Sequence, residues 1–227
     1  MRKRDQLYRA HRATRIERLD RRLCLDTTAP TVVAAKFVFD AFPVRQTVAL
    51  TFSENVEDSL REEDVNLQNL TTEAQIQTNE FGLDFDEDTN VARITFDGNF
   101  PFHALPDGNY RLTLEAGSVE DAAGNPLAQD FTFDFFFLNG DANRDRRVNL
   151  ADFNILAANF GREPRTFTRG DFTYDGKVQL DDFNILAARF GTVLAPPTAA
   201  QQASNPFHEE TLGNGAERED DRLAELS

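Results

Sequence analysis

The sequence predicts a β-sandwich of short strands followed by a small α-helical module built from two copies of one unit. Three observations carry this expectation. Apolar residues alternate over short runs between Thr27 and about Leu138, a twelve-residue segment recurs thirty residues later near the C-terminal end, and an acidic loop precedes each copy at the same offset. The chain has 227 residues, enough for one or two domains that each bury a core without disulfides. Its single cysteine, Cys24, has no internal partner and no neighbouring His to activate it as a nucleophile.

The first element, residues 1–26, is a basic head. Residues 1–25 hold nine Arg or Lys against three acids, a surplus of six that leaves the rest of the chain near −21 against a total of −15. An acidic body argues against nucleic acid as the partner, and a processed or disordered targeting segment is the expected role of the head. Ile16 to Leu25 (IERLDRRLCL) resembles an N-terminal export or sorting motif of large bacterial surface proteins. The apolar stretch of a usual signal peptide is missing from the head, and no apolar run approaches the roughly 18 residues of a membrane span.

The second element, residues 27–138, reads as strands. Val48, Leu50 and Phe52 alternate, as do Ile94 and Phe96, then Tyr110, Leu112 and Leu114, then Phe131, Phe133 and Phe135. Side chains two apart share a face of a strand, so each run offers one face to a core. Asp97-Gly98 and Asp107-Gly108 are turn signals, and Ala123-Gly124-Asn125-Pro126 reads as a loop. Several short strands separated by turns suggest a sandwich. Asp26 to Val32, Val48 to Glu54 (VALTFSE) and Asp107 to Pro126 (DGNYRLTLEAGSVEDAAGNP) resemble bacterial Ig-like domains of the surface-layer type. That resemblance implies a spacer or binding module in an exported protein, secreted or held at the bacterial cell surface.

The third element, residues 139–191, carries the chemistry. Leu150 to Gly161 (LADFNILAANFG) recurs as Leu180 to Gly191 (LDDFNILAARFG) with ten of twelve positions identical, the mark of a duplicated supersecondary unit. Ahead of the first copy, Asp141, Asn143, Asp145, Arg147 and Asp152 fall at loop positions 1, 3, 5, 7 and 12; ahead of the second, Asp171, Thr173, Asp175, Lys177 and Asp182 take the same places. Calcium wants six to eight oxygens at about 2.3 to 2.6 Å, and alternate residues of a loop can wrap them round it, with position 7 offering its carbonyl. Asn149 and Gln179 at position 9 can contribute through water. A solvated acidic turn explains one such run; it does not explain two at one offset from near-identical helices. The expectation is therefore two Ca2+ sites, and zinc is disfavoured because the module has no Cys or His.

The helices fit. Leu150, Phe153, Leu156 and Phe160 fall at helical spacing, as do Leu180, Phe183, Leu186 and Phe190, giving each helix an apolar stripe to pack on the other. Asn149 with Asp152 forms a capping-box pattern, and Gly161 and Gly191 stand at C-cap positions. Helices of about eleven residues are marginal alone, so metal and mutual packing are expected to hold the module.

Gly140 to Gly191 resembles a type I dockerin, including Val148 and Val178 at loop position 8. The resemblance implies an EF-hand-like fold without the leading helix, and a cohesin-like partner, with Leu150, Ala151, Leu180 and Asp181 at the positions that select it. It also implies association with carbohydrate-handling assemblies and polysaccharide metabolism. Two departures stand out. Arg146 holds position 6, where Gly is usual, and with Arg144 and Arg147 it brings three positive charges to the first loop; Thr173 gives the second loop a neutral ligand at position 3. The second site, which keeps Gly176, is expected to bind more tightly.

The last element, residues 192–227, has few apolar residues and is expected to stay disordered. Asp84, Asp86, Asp88 and Asn90 imitate a calcium loop, but Thr95 stands where the last acid belongs, so a hairpin turn is expected. His11, His103 and His208 lie in different zones without triad or zinc spacing. The expected protein is not an enzyme. It is a calcium-binding adaptor or scaffold, or alternatively a structural cell-surface protein whose repeat only stabilises its end.

Overall fold

The computed structural model describes residues 27–43, 46–96, 100–101, 104–198 and 207–208. The basic head, Cys24, His11, His103, Asp97-Gly98 and the tail beyond His208 lie outside the described residues. The chain forms β1 (Val32–Val38), β2 (Thr47–Phe52), β3 (Asn66–Asn69), β4 (Gln75–Ile76), β5 (Gly82–Asp86), β6 (Val91–Thr95), β7 (Gly108–Leu114), β8 (Phe131–Phe137), α1 (Leu150–Asn159), α2 (Leu180–Arg189) and β9 (Phe207–His208).

The strands make two sheets, ordered β1-β2-β6-β5 and β4-β3-β7-β8-β9. Every pairing is antiparallel except that of β9 with β8. Their inner faces hold the alternating residues expected: Val48, Leu50, Phe52, Ile94, Phe96, Tyr110, Leu112, Leu114, Phe131, Phe133 and Phe135 are all buried. Ring contacts knit the sheets, with Phe37 of β1 4.5 Å from Phe135 of β8 and Tyr110 stacked on Phe135 at 5.2 Å between centroids. Asp84 to Asn90 forms the β5-β6 hairpin, with Asn90 left-handed at φ 54°.

One strand departs from alternation. All seven residues of β8 are buried, because both its faces are covered. On the outward face Asp134 is held by a bidentate Arg111 at 2.7 Å, and Phe136 lies beneath two arginines of the following loop. On the inward face Phe137 meets Phe167 at 5.4 Å, and Phe167 continues to Phe172 at 5.2 Å. The apolar core therefore runs without a break from the sandwich into the repeat.

Polar contacts close the same junction. Asp40 accepts from the Thr168 amide and hydroxyl at 2.9 and 2.8 Å, Asp107 pairs with Arg189 at 2.8 Å, and Gln46 donates to the Tyr174 hydroxyl at 2.9 Å. The segment after α2, part of the tail expected to lack structure, is fixed as far as Thr198: Leu194 is buried and donates to the Arg146 carbonyl, and Asn109 donates to that of Ala195, both at 2.9 Å.

The helices pack by a narrower stripe than the sequence suggests. Leu156, Ile185 and Leu186 are buried and Phe153 meets Phe183 edge-on at 6.4 Å, but Leu150, Phe160, Leu180 and Phe190 at the helix ends are exposed. Truncating Leu112, buried at the sandwich centre, to Ala should cost about 3 kcal/mol in urea unfolding of the chain.

Candidate metal centre

The two acidic loops share one hydrogen-bond frame. In the first, Asp141 accepts at Oδ1 from the Asp145 amide (3.1 Å) and at Oδ2 from the Arg146 amide (2.8 Å); in the second, Asp171 accepts from Asp175 (3.2 Å) and Gly176 (2.9 Å). Asp145 and Asp175 each accept from the amide of position 7, Arg147 and Lys177, at 2.9 Å. Asp152 and Asp182 accept at Oδ2 from the amides of Asn149 and Gln179, both at 2.8 Å. The loops are thus curled round their position 1 carboxylates, and the position 12 carboxylates cap the helices that follow.

Position 12 is better anchored in the second loop. Asp182 Oδ1 takes the Phe172 and Thr173 amides and the Thr173 hydroxyl at 2.8, 3.0 and 3.1 Å, whereas Asp152 Oδ1 takes the Asn143 amide at 3.3 Å. Asn143 places its amide oxygen on the Asp145 amide at 3.1 Å and its nitrogen on the Asp145 carboxylate at 3.0 Å. Gln179 at position 9 donates to Asp175 at 2.8 Å. Gly161 and Gly191, left-handed at φ 73° and 86°, end the helices and donate to the Val178 and Val148 carbonyls, both at 2.8 Å, so each position 8 valine is tied to a helix end.

Asp141, Asp152, Asp171 and Asp182 are buried. Burial pushes Asp141 up to about 7 and Asp171 to about 6, with neighbouring carboxylates pushing the same way and backbone amides opposing; burial also raises Asp152 and Asp182. Two buried carboxylates facing one loop centre repel, and a cation there relieves that repulsion. Among the described residues no group of three or more His, Cys, Asp or Glu stands ready to hold a metal on its own. The groups that would hold an ion in each loop are the carboxylates at 1, 5 and 12, an amide or hydroxyl oxygen at 3, and the main-chain carbonyl of Arg147 or Lys177. All are hard oxygens, a chemistry that suits calcium rather than zinc. A calcium ion there would supply the positive charge these loops lack.

Two of the three arginines expected to crowd the first loop rest against the sandwich. The Arg144 guanidinium lies 3.8 Å above the Phe136 ring and that of Arg146 lies 4.0 Å above it, so both lean on the sandwich. Arg146 adopts the left-handed conformation at φ 67°, as the sequence suggests, and so do the position 4 residues Arg144 (63°) and Tyr174 (60°), which the sequence did not mark. At Gly176, φ is 83°, which favours glycine, and the half-exposed Phe42 ring lies where a Cβ would sit, so a side chain there would have to displace it. Leu150 and Leu180 are each 62% exposed, and Ala151 and Asp181 beside them are exposed.

Residues 26–137 match the family model of the bacterial Ig-like domain. This stretch is a bacterial Ig-like domain. Tyr110 in the Ig-like domain donates its hydroxyl to the Pro106 carbonyl at 2.5 Å, the backward bond of a tyrosine corner. Asp121, in the turn before Pro126, accepts from the Ala123 and Asn125 amides at 2.8 Å. A solved structure described as a type II cohesin-dockerin domain from Bacteroides cellolosolvens is similar over 27% of this chain and 98% of its own, at 39% identity and a TM-score of 0.25. No curated protein matches the chain.

Two outcomes follow from the loop geometry. Asp182→Ala removes four hydrogen bonds and Asp152→Ala two, so the first should lower the melting temperature more; the reverse order in calorimetry would contradict this. Carboxyls with raised folded values stabilise the metal-free fold fully only below their unfolded value, and that stabilisation is lost as pH rises through 6 to 7. Calcium must displace those protons. The melting-temperature gain on adding calcium should therefore be larger at pH 8 than at pH 5.5, read by differential scanning calorimetry in calcium-depleted and calcium-containing buffer.

Proposed function

We propose that the chain is a non-catalytic calcium-binding adaptor, in which each loop takes one Ca2+ and the repeat docks a cohesin-like protein while the Ig-like domain serves as spacer or binding module. The observation that carries this reading is the pairing, twice over, of buried position 1 and position 12 carboxylates with a leucine left exposed at the first residue of the helix that follows. A helix start fixed by the metal ligand presents its neighbours rigidly. Leu150 and Ala151 in one copy and Leu180 and Asp181 in the other offer nearly the same small surface twice, with Phe160 and Phe190 exposed at the far helix ends. An exported setting, secreted or at the bacterial surface, and a carbohydrate-associated assembly accompany this reading through the dockerin and Ig-like likenesses. None of the described helices is long and apolar enough to cross a membrane.

A second reading has one specific observation in its favour. The core continues through Phe137, Phe167 and Phe172, which suits a repeat that stiffens the end of a structural surface protein and binds calcium for that purpose alone.

The two readings part at the exposed leucines. Capture of a cohesin on immobilised chain should require calcium, and Leu150→Glu with Leu180→Glu together should abolish it while leaving calcium-dependent stabilisation intact. Capture that persists in chelator, or that survives both substitutions, would contradict the adaptor reading.

A further inference from the structure

The two loops make the same tight turn by different means. Both are left-handed at position 4, at Arg144 (φ 63°) and Tyr174 (φ 60°), and they differ at position 6, where the second uses Gly176 at φ 83° and the first Arg146 at φ 67°. Side chains with a Cβ hold that conformation where their surroundings determine it, and here the surroundings belong to the Ig-like domain. The Arg144 guanidinium lies 4.1 Å from the Phe39 ring and 3.8 Å from the Phe136 ring, and donates to the Phe136 carbonyl at 2.9 Å. Arg146 lies 4.0 Å from the same Phe136 ring and donates to Asn109 Oδ1 at 2.7 Å. At its other end, the Arg146 amide donates to Asp141 Oδ2 at 2.8 Å, while its carbonyl accepts from Leu194 at 2.9 Å. One residue thus joins a contact on the sandwich to a carboxylate of the ion pocket.

We propose that Arg144 and Arg146 are positioning residues through which the Ig-like domain completes the first calcium site. Their stacking on Phe136 fixes the left-handed turns that bring the position 4 to 6 backbone round Asp141, the task that glycine's conformational freedom performs at position 176. Affinity at the first site is then conditional on the Ig-like face formed by Phe136 and Asn109, and affinity at the second is independent of that face. This inference rests on the calcium reading above.

The test uses the full chain, titrated with calcium while the Arg146 and Gly176 amide signals are followed separately by NMR, since each amide bonds its own loop's position 1 carboxylate. Phe136→Leu keeps an apolar side chain and removes the ring face. It should weaken binding reported by Arg146 about tenfold and leave the Gly176 midpoint within about twofold. Asn109→Ala should give a smaller loss at the same site, about threefold, and decides the matter if Phe136→Leu does not fold. In an Arg144→Gly, Arg146→Gly background, where the turns no longer need holding, Phe136→Leu should have no further effect on the first site, read at the Asp145 amide. Equal weakening of both sites, or none, overturns the inference while the calcium reading stands. Absence of any calcium-dependent shift in the unsubstituted chain overturns both.

Discussion

Four buried carboxylates govern the C-terminal half of this protein. Asp141 and Asp152 belong to one loop, and Asp171 and Asp182 to the other, each pair removed from water and close enough for its charges to oppose each other. Backbone amides offset part of the cost, which is why every loop amide that curls inward finds a carboxylate oxygen. Amides bring only partial charge, though, and burial still lifts Asp141 and Asp171 well above the usual carboxylate range and raises Asp152 and Asp182. Asp152 and Asp182 also cap α1 and α2, so an ion held by them would bear on helix formation as well as on the loops.

The repeat does not hang from the Ig-like domain by a linker. β8 passes directly into the first loop, and its final residues are gripped from both faces: Phe137 by Phe167 on the inside, Phe136 by Arg144 and Arg146 on the outside. Guanidinium planes suit this place, since they stack on an aromatic face while donating to the Phe136 carbonyl and to Asn109. An arginine at a position that ordinarily asks for glycine is a local conflict, and its resolution lies in the neighbouring domain. Departures of this kind from local rules mark places where tertiary contacts decide the conformation.

Much of this was legible in the sequence, for reasons that can be named. The strand runs at Val48, Tyr110 and Phe131 alternate because one face of each meets the core, and the loops at Asp141 and Asp171 are readable because the same residue types recur at the same short intervals ahead of both helices. Caps at Asn149 and Gly161 are equally local. What escaped was non-local. β8 is buried on both faces because Arg111 of β7 covers Asp134 and the arginines of the following loop cover Phe136, contacts that no local pattern announces. The exposed Leu150, Phe160, Leu180 and Phe190 look like packing residues in a periodic stripe, and only the placement of one helix against the other shows which of them is left uncovered. The ordered stretch from Thr192 to Thr198 carries no periodic signal at all; Leu194 and a few backbone bonds hold it.

The central claim is that each loop closes round one divalent cation. Isothermal titration of calcium into the full chain, freed of metal beforehand, tests it most directly. The account predicts one ion per loop, with protons released on binding below about pH 7 and helix content that rises as the sites fill. A titration without heat in millimolar calcium, with the same helix content before and after by circular dichroism, would contradict it.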